Sequence, residues 1–127
     1  MPEKSPARLL VCLRFGIGDL IMELPALELL RPAYPGAHIT GIGAEPALQL
    51  LEGDRRLDAL VPVQRFGFTH WGDWGTADSR AALQRWLEEQ AFDLVFDPSN
   101  AVLGLGELIW RHAVSIRDSG NELSTEA

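Results

Sequence analysis

The chain has 127 residues, of which 46% are hydrophobic and 23% are charged, with a formal net charge of −7. This length suits one domain with its own core, and the composition excludes an intrinsically disordered chain. The excess of 18 acidic over 11 basic residues disfavours nonspecific binding to nucleic acid or anionic lipid. Cys12, the single cysteine, lies in an apolar run, which favours burial over reactivity.

The sequence has no signal for secretion or for crossing a membrane. Its first apolar run, residues 9–13, is far shorter than the roughly 18 residues that a membrane span requires. We therefore expect a cytoplasmic protein whose membrane contact is peripheral at most. His38, His70 and His112 show no metal-ligand spacing with one another or with Cys12, so no metal site is expected.

Short β-rich runs alternate with helical patterns along the chain. The predicted strands are residues 8–14, 38–43, 60–64, 92–96 and 113–116. The first predicted helix runs from about Leu20 to the Tyr34-Pro35-Gly36 turn, and Pro25 is expected to kink or restart it. The other predicted helices are residues 45–51, 77–90 and 102–112. Thr76 or Asp78 could cap the helix at residues 77–90.

This alternation predicts an α/β fold, a Rossmann-like doubly wound parallel sheet of about five strands. The expected strand order is 3-2-1-4-5, which places the carboxyl ends of strands one and four side by side, where such sheets bind ligands. We expect the domain to span residues 1–117 and to be followed by a flexible acidic tail, residues 118–127.

The turn after the first strand is where the sequence first indicates chemistry. Gly16 and Gly18 permit a close approach of backbone to ligand, and the helix that follows offers free N–H groups. The third glycine of the dinucleotide-binding pattern is missing, and Asp19 would repel a pyrophosphate. Glu45, near the end of strand two, could hold a ribose, so a nucleotide-binding module stays an alternative. Asp19 itself fits a helix cap as well as a catalytic base.

Residues 8–35, RLLVCLRFGIGDLIMELPALELLRPAYP, resemble the opening of glycosyltransferase family 9, the ADP-heptose lipopolysaccharide heptosyltransferases. The shared parts are a buried strand, an R-F-x-x-GD turn and a P-A-L helix, and the likeness extends over about residues 8–117. The resemblance implies the N-terminal, acceptor-binding half of a GT-B enzyme. A nucleotide-sugar donor, an ADP-sugar, would then bind a C-terminal half, and 127 residues are too few for both halves.

The resemblance also implies roles for individual residues. Asp19 would act as the general base in a single inverting displacement that requires no metal and no cofactor. From their positions at the two strand ends, the expected acceptor-binding residues are Arg14, Gly16, Gly18, Asp97, Ser99 and Asn100. For the last three, a local turn with Pro98 and an Asx-type hydrogen bond is the alternative. The stretch DPSNAVLG departs from the family's D-x-Q-G-x-x-K-S-like pattern because it lacks the lysine, and Arg14 and Arg65 are the candidates to replace it.

A segment dense in aromatic residues and glycines, residues 66–75, separates the third strand from the following helix. Trp71 and Trp74 are expected to bind the acceptor by stacking on a sugar face, and ordinary loop packing is the alternative. Two other functions stay open for the whole chain: a noncatalytic remnant that binds carbohydrate or a protein partner, and a nucleotide-binding Rossmann module. An isolated half is also expected to expose apolar area and to self-associate.

Overall fold

A four-stranded parallel sheet organises the protein, whose computed structural model describes residues 7–13, 17–97 and 104–119. Its elements in chain order are β1 (Arg8–Leu13), α1 (Ile17–Ala33), β2 (His38–Gly43), a 3₁₀ turn (Ala47–Leu51), β3 (Ala59–Pro62), a second 3₁₀ turn (Val63–Phe66), α2 (Ala77–Gln90), β4 (Leu94–Phe96) and α3 (Leu105–Ser119). The strands are ordered β3-β2-β1-β4. The predicted α/β class, parallel sheet and order of the first four strands are therefore confirmed.

Alternate residues of the central strand β1 supply two separate cores, one on each face of the sheet. Leu9, Val11 and Leu13 pack with α1 and the Ala47–Leu51 turn. Leu10 and Cys12 face the other way and pack with α2, α3 and the aromatic segment. These five β1 side chains are all buried, as a strand covered on both faces requires. Helices thus cover both faces of the sheet, which makes it doubly wound.

The predicted fifth strand, residues 113–116, is wrong. These residues belong to α3, which runs without a break from Leu105 to Ser119. Leu105, Ile109 and Ile116 recur at helical spacing and pack in the same core as α2. No glycine or proline occurs between residues 107 and 118, so no helix-breaking residue separates the predicted helix from the predicted strand. α3 also extends two residues into the predicted tail, of which residues 120–127 lie outside the described part.

Several other observed elements differ in their bounds or type from the predicted ones. β3 begins at Ala59 and ends at Pro62, and residues 63 and 64, predicted to be part of the strand, form a 3₁₀ turn instead. The short helix after residue 45 is likewise a 3₁₀ turn. α1 continues through Pro25, so this proline does not divide the helix. α2 matches its predicted bounds, and Thr76 caps it by accepting the Ser79 N–H at 3.0 Å.

β4 is the edge strand of the sheet that the described residues form, and a groove of about 630 Å³ runs between it and α3. Residues 93–97 line the side of the groove that β4 forms, and all of them except Asp93 and Asp97 are apolar. It follows the length of β4 and is not confined to the carboxyl ends of the strands. No described helix is long and apolar enough to cross a membrane.

Arg31 and Asp58 form hydrogen bonds that link the end of α1 to strand β2. The Arg31 guanidinium donates to the carbonyls of Tyr34 and Ala37 at 2.6 and 2.7 Å, which satisfies groups beyond the helix end. The Asp58 carboxylate accepts the Ile39 N–H at 2.7 Å and an Arg31 N–H at 3.1 Å. The Ile39 hydrogen bond, followed by the Arg31 hydrogen bond and charge, holds the pKa of Asp58 below its usual range, against the opposing effect of burial.

Asp58→Asn is expected to reduce the sensitivity of the fold to acid. A carboxyl group with a lowered pKa in the folded state stabilises the fold fully above its unfolded pKa of about 3.9. That contribution is lost as pH falls through the folded-state pKa. The difference in urea midpoint between wild type and Asp58→Asn should therefore be largest near neutrality and shrink below about pH 4. Exposed Glu52→Gln is the control, and a difference that is constant from pH 7 to pH 2.5 would contradict the account.

Candidate functional site

The carboxyl ends of all four strands meet at one edge of the sheet, because the strands are parallel. β1 is followed by α1 on one face, whereas β4 is reached through α2 on the other face. After β1 the chain adds β2 and β3 on one side of this strand and then β4 on its other side, and such a switch point leaves a crevice beyond the strand ends. Val11 of β1 pairs with Phe96 of β4, so the carboxyl ends of these two strands are neighbours at this crevice.

The residues predicted for this crevice are described only in part. Arg14 and Gly16 lie outside the described residues, as do Ser99 and Asn100. The backbones of Gly18 and Asp19 lie in the first turn of α1, while the Asp19 side chain is outside the described part. Asp97 directly follows β4 and is half-buried. The backbone thus brings residues 18, 19 and 97 to the same edge of the sheet.

Gln64 ties the loop after β2 to the loop after β3. Its side-chain Oε1 accepts the Glu45 N–H at 3.2 Å, and its Nε2 donates to the carbonyls of Glu45 and Thr69 at 3.3 and 3.1 Å. Glu45 Oε2 is buried and has no hydrogen-bond partner among the described residues. Glu45 therefore has its backbone fixed while one carboxylate oxygen is left unpaired at this edge.

The aromatic segment, residues 66–75, divides into buried and exposed side chains. Phe68 is 1% and Trp71 0% exposed, and both belong to the core shared with α2 and α3. Trp71 therefore offers no face to a ligand, and its expected role in stacking gives way to the alternative of loop packing. Trp74 is 56% exposed. Of the two predicted tryptophans, the structure leaves Trp74 accessible at the surface.

Asp73 fixes the part of this segment that carries Trp74. Its Oδ2 accepts the Thr69 N–H at 2.8 Å and the Thr69 hydroxyl at 2.9 Å, and its Oδ1 accepts the Gly75 N–H at 2.8 Å. The Thr69 N–H bond, followed by those from Gly75 and the Thr69 hydroxyl, lowers the pKa of Asp73. Arg80 of α2 donates to the Trp74 carbonyl at 3.0 Å. Side chains thus hold Gly75 and the Trp74 carbonyl, and Asp73 is itself anchored to Thr69.

Gly104 brings the aromatic segment against the start of α3. Its φ is +56°, and a Cβ built on it would overlap the backbone carbonyl of Gly72 and lie 2.7 Å from the Asp73 oxygen. Only glycine combines this conformation with so close a backbone contact. The segment therefore reaches from the end of β3, at one side of the sheet, to the residue that precedes α3, at the other.

Comparison with known proteins gives an informative similarity to a solved structure. No protein-family model and no curated protein matches the chain. Among solved structures, it is similar to the glycosyl transferase family 9 from Veillonella parvula DSM 2008, with a TM-score of 0.60 and 26% sequence identity over 76% of this chain. The chain is a glycosyltransferase-like domain. It covers 27% of the length of that solved chain.

Several residues that shape this edge of the glycosyltransferase-like domain were not predicted from its sequence. Gln64, Asp73, Arg80 and Gly104 organise the loops, yet none belongs to a motif. Asp73 carried a local signal, since an aspartate two residues before a glycine suits an Asx-type turn. The described residues include no cluster of three or more His, Cys, Asp or Glu side chains that could hold a metal ion.

Proposed function

We propose that this glycosyltransferase-like domain is the N-terminal, acceptor-binding half of an inverting heptosyltransferase-like enzyme. The similarity to a family 9 glycosyl transferase over 76% of the chain carries the proposal. It is supported by the position of the Asp19 backbone in the first turn of α1, the helix that follows β1 at the switch point of the sheet. The acceptor is a lipopolysaccharide-type glycan, and the donor is a nucleotide sugar, an ADP-sugar, bound by a complementary half. The reaction takes place in the cytoplasm, with membrane contact that is peripheral at most.

The chemistry assigned to this edge is a single displacement at the donor's anomeric carbon. Asp19 accepts the proton of the acceptor hydroxyl as that oxygen forms its bond to the anomeric carbon. The bond from that carbon to the nucleotide breaks on the opposite face, and its electron pair leaves with the nucleotide, so the configuration inverts. The N-terminus of α1 stabilises the Asp19 carboxylate and lowers its basicity, so proton removal is late and coupled to departure of the leaving group.

The acceptor is held by groups that surround this carboxylate. Gly16 and Gly18 let the sugar approach the backbone, and Arg14 supplies a positive charge for an acidic or phosphorylated acceptor. Asp97, Ser99 and Asn100 follow β4 on the other side of the switch point and bind sugar hydroxyls. Trp74 adds an exposed aromatic face. No metal or cofactor takes part in the step that these residues perform.

A binding titration tests the proposal. The purified chain is titrated by calorimetry with heptose- and Kdo-containing lipopolysaccharide core oligosaccharides, and in parallel with ADP, an ADP-sugar and NAD. We expect saturable binding of the oligosaccharides and no binding of the nucleotides, since the donor belongs to the other half. Binding of ADP or NAD without oligosaccharide binding would instead identify a nucleotide-binding Rossmann module.

A further inference from the structure

Trp74 is a large aromatic side chain that is exposed on a firmly held stretch of backbone. Trp74 is 56% exposed, although tryptophan is highly buried on average. The two carboxylate oxygens of Asp73 accept the N–H groups of Thr69 and Gly75, which lie before and after Trp74 in the chain, and Arg80 donates to the Trp74 carbonyl. The position of Trp74 is therefore set by side-chain contacts that do not cover its ring.

The surroundings of Trp74 fit a sugar better than a protein surface. The apolar members of the segment, Phe68 and Trp71, are buried, while the exposed side chains near it in the fold, Thr69, His70 and Arg80, are polar. An aromatic face beside hydrogen-bonding groups can stack on the C–H face of a sugar and bind its hydroxyls. A protein partner would require a larger continuous apolar patch.

The segment also lies where a second part of a bound glycan would extend. It begins at the end of β3 and touches Gly104 beside the start of α3. It therefore lies along the same carboxyl edge of the sheet as the first turn of α1, which includes Asp19. A glycan whose reacting sugar lies at the switch point would reach this segment with a neighbouring sugar.

We propose that Trp74 forms a preorganised carbohydrate subsite that stacks on a sugar of the acceptor other than the reacting one, and that Asp73 and Arg80 are its positioning residues. The inference rests on the proposed function for the identity of the acceptor, while the stacking of a sugar ring follows from the geometry of the segment. Because hydrogen bonds hold the backbone of this segment before the glycan arrives, the affinity that Trp74 contributes is not reduced by the entropy of ordering a loop.

The test compares the two exposed tryptophans, Trp74 and Trp110, which are 56% and 49% exposed. Wild type, Trp74→Ala and Trp110→Ala are titrated with the core oligosaccharides and with neutral maltohexaose and laminarihexaose. Trp74→Ala should raise Kd about tenfold or more, the loss typical of a stacked aromatic anchor. Trp110→Ala, on α3, should leave Kd unchanged. Thermal unfolding should be similar in all three proteins, because both side chains are at the surface.

The outcomes separate the subsite from the proposed acceptor. Oligosaccharide binding that is equal in wild type and Trp74→Ala would overturn the subsite and leave the proposed function standing. Binding restricted to the neutral hexaoses, and lost in Trp74→Ala, would support the subsite but contradict a lipopolysaccharide acceptor. Absence of binding to every glycan would overturn the subsite. So would a Trp74→Ala effect confined to self-association, measured by sedimentation velocity, because it would assign Trp74 to a protein contact.

The positioning role of Asp73 has its own readout. Asp73→Ala removes the acceptors for the Thr69 and Gly75 N–H groups, and we expect the heteronuclear ¹⁵N NOE of the Trp74 indole N–H to fall and Kd to rise about threefold or more. Asp73→Asn keeps one carbonyl acceptor and should restore part of both. Unchanged indole order and affinity in Asp73→Ala would overturn the positioning role.

Discussion

Asp19→Asn is expected to lower the rate of glycosyl transfer by about 10²–10⁴-fold, the usual contribution of a positioned general base. An amide at this position can still accept a hydrogen bond from the acceptor hydroxyl, but it cannot take the proton. Acceptor affinity should therefore change little, by less than about threefold. The assay needs a donor-binding half, which a hybrid protein provides when this chain replaces the matching part of the Veillonella parvula protein.

Asp78→Asn is the matched control for this substitution. Asp78 is an exposed acidic residue in the first turn of α2, as Asp19 is in the first turn of α1, so both changes remove a carboxylate from a helix N-terminus. The loss of transfer should be confined to Asp19→Asn, while both variants show similar small losses of stability. Full transfer activity in the Asp19→Asn hybrid would refute the assignment of Asp19 as the base and leave helix capping as its role.

Trp71→Ala is expected to destabilise the fold by about 3–5 kcal/mol, because the whole indole packs in the core between the sheet and helices α2 and α3. For a domain of this size, the corresponding fall in thermal midpoint is roughly 10–20 °C. Trp71 Nε1 is buried with no hydrogen-bond partner among the described residues. Trp71→Phe removes that unpaired donor while keeping an aromatic ring, so it should cost much less than the alanine change.

Trp110→Ala again serves as the control, and it should shift the thermal midpoint only slightly because half of its surface is already in water. Differential scanning calorimetry of the three variants measures the difference directly. If Trp71→Ala unfolded like wild type while losing glycan binding, Trp71 would be a ligand-binding residue after all, and the packing described for the aromatic segment would be incorrect.

The sequence predicts well those elements whose pattern is determined locally. β1 and β2 are continuous apolar or β-rich runs, and α2 has a helical pattern with a Thr76 cap, so their positions follow from the residues alone. The predicted strand at residues 113–116 failed because a short apolar run fits a strand and a helix equally well. Packing of Ile109 and Ile116 in the core shared with α2 favours the helix.

The candidate site is less predictable, because contacts between distant residues decide it. Two tryptophans three residues apart, Trp71 and Trp74, have the same composition around them, and only the folded core determines which one is buried. Gln64 reaches Glu45 across 19 residues of sequence, and the close approach of Gly104 to Gly72 joins segments more than thirty residues apart. Neither contact leaves a periodic or motif signal.

The central claim is that the carboxyl edge of this sheet binds a glycan acceptor, and NMR mapping of the binding titration tests it most directly. The ¹⁵N-labelled chain is titrated with the core oligosaccharides while amide shifts are followed. We predict the largest shifts at the carboxyl edge, at residues such as Gly43, Glu45 and Trp74. The amino edge, represented by Arg8 and Asp93, which are joined there by a 2.9 Å hydrogen bond, should stay unchanged. Shifts confined to the amino edge, or produced by nucleotide alone, would contradict the account.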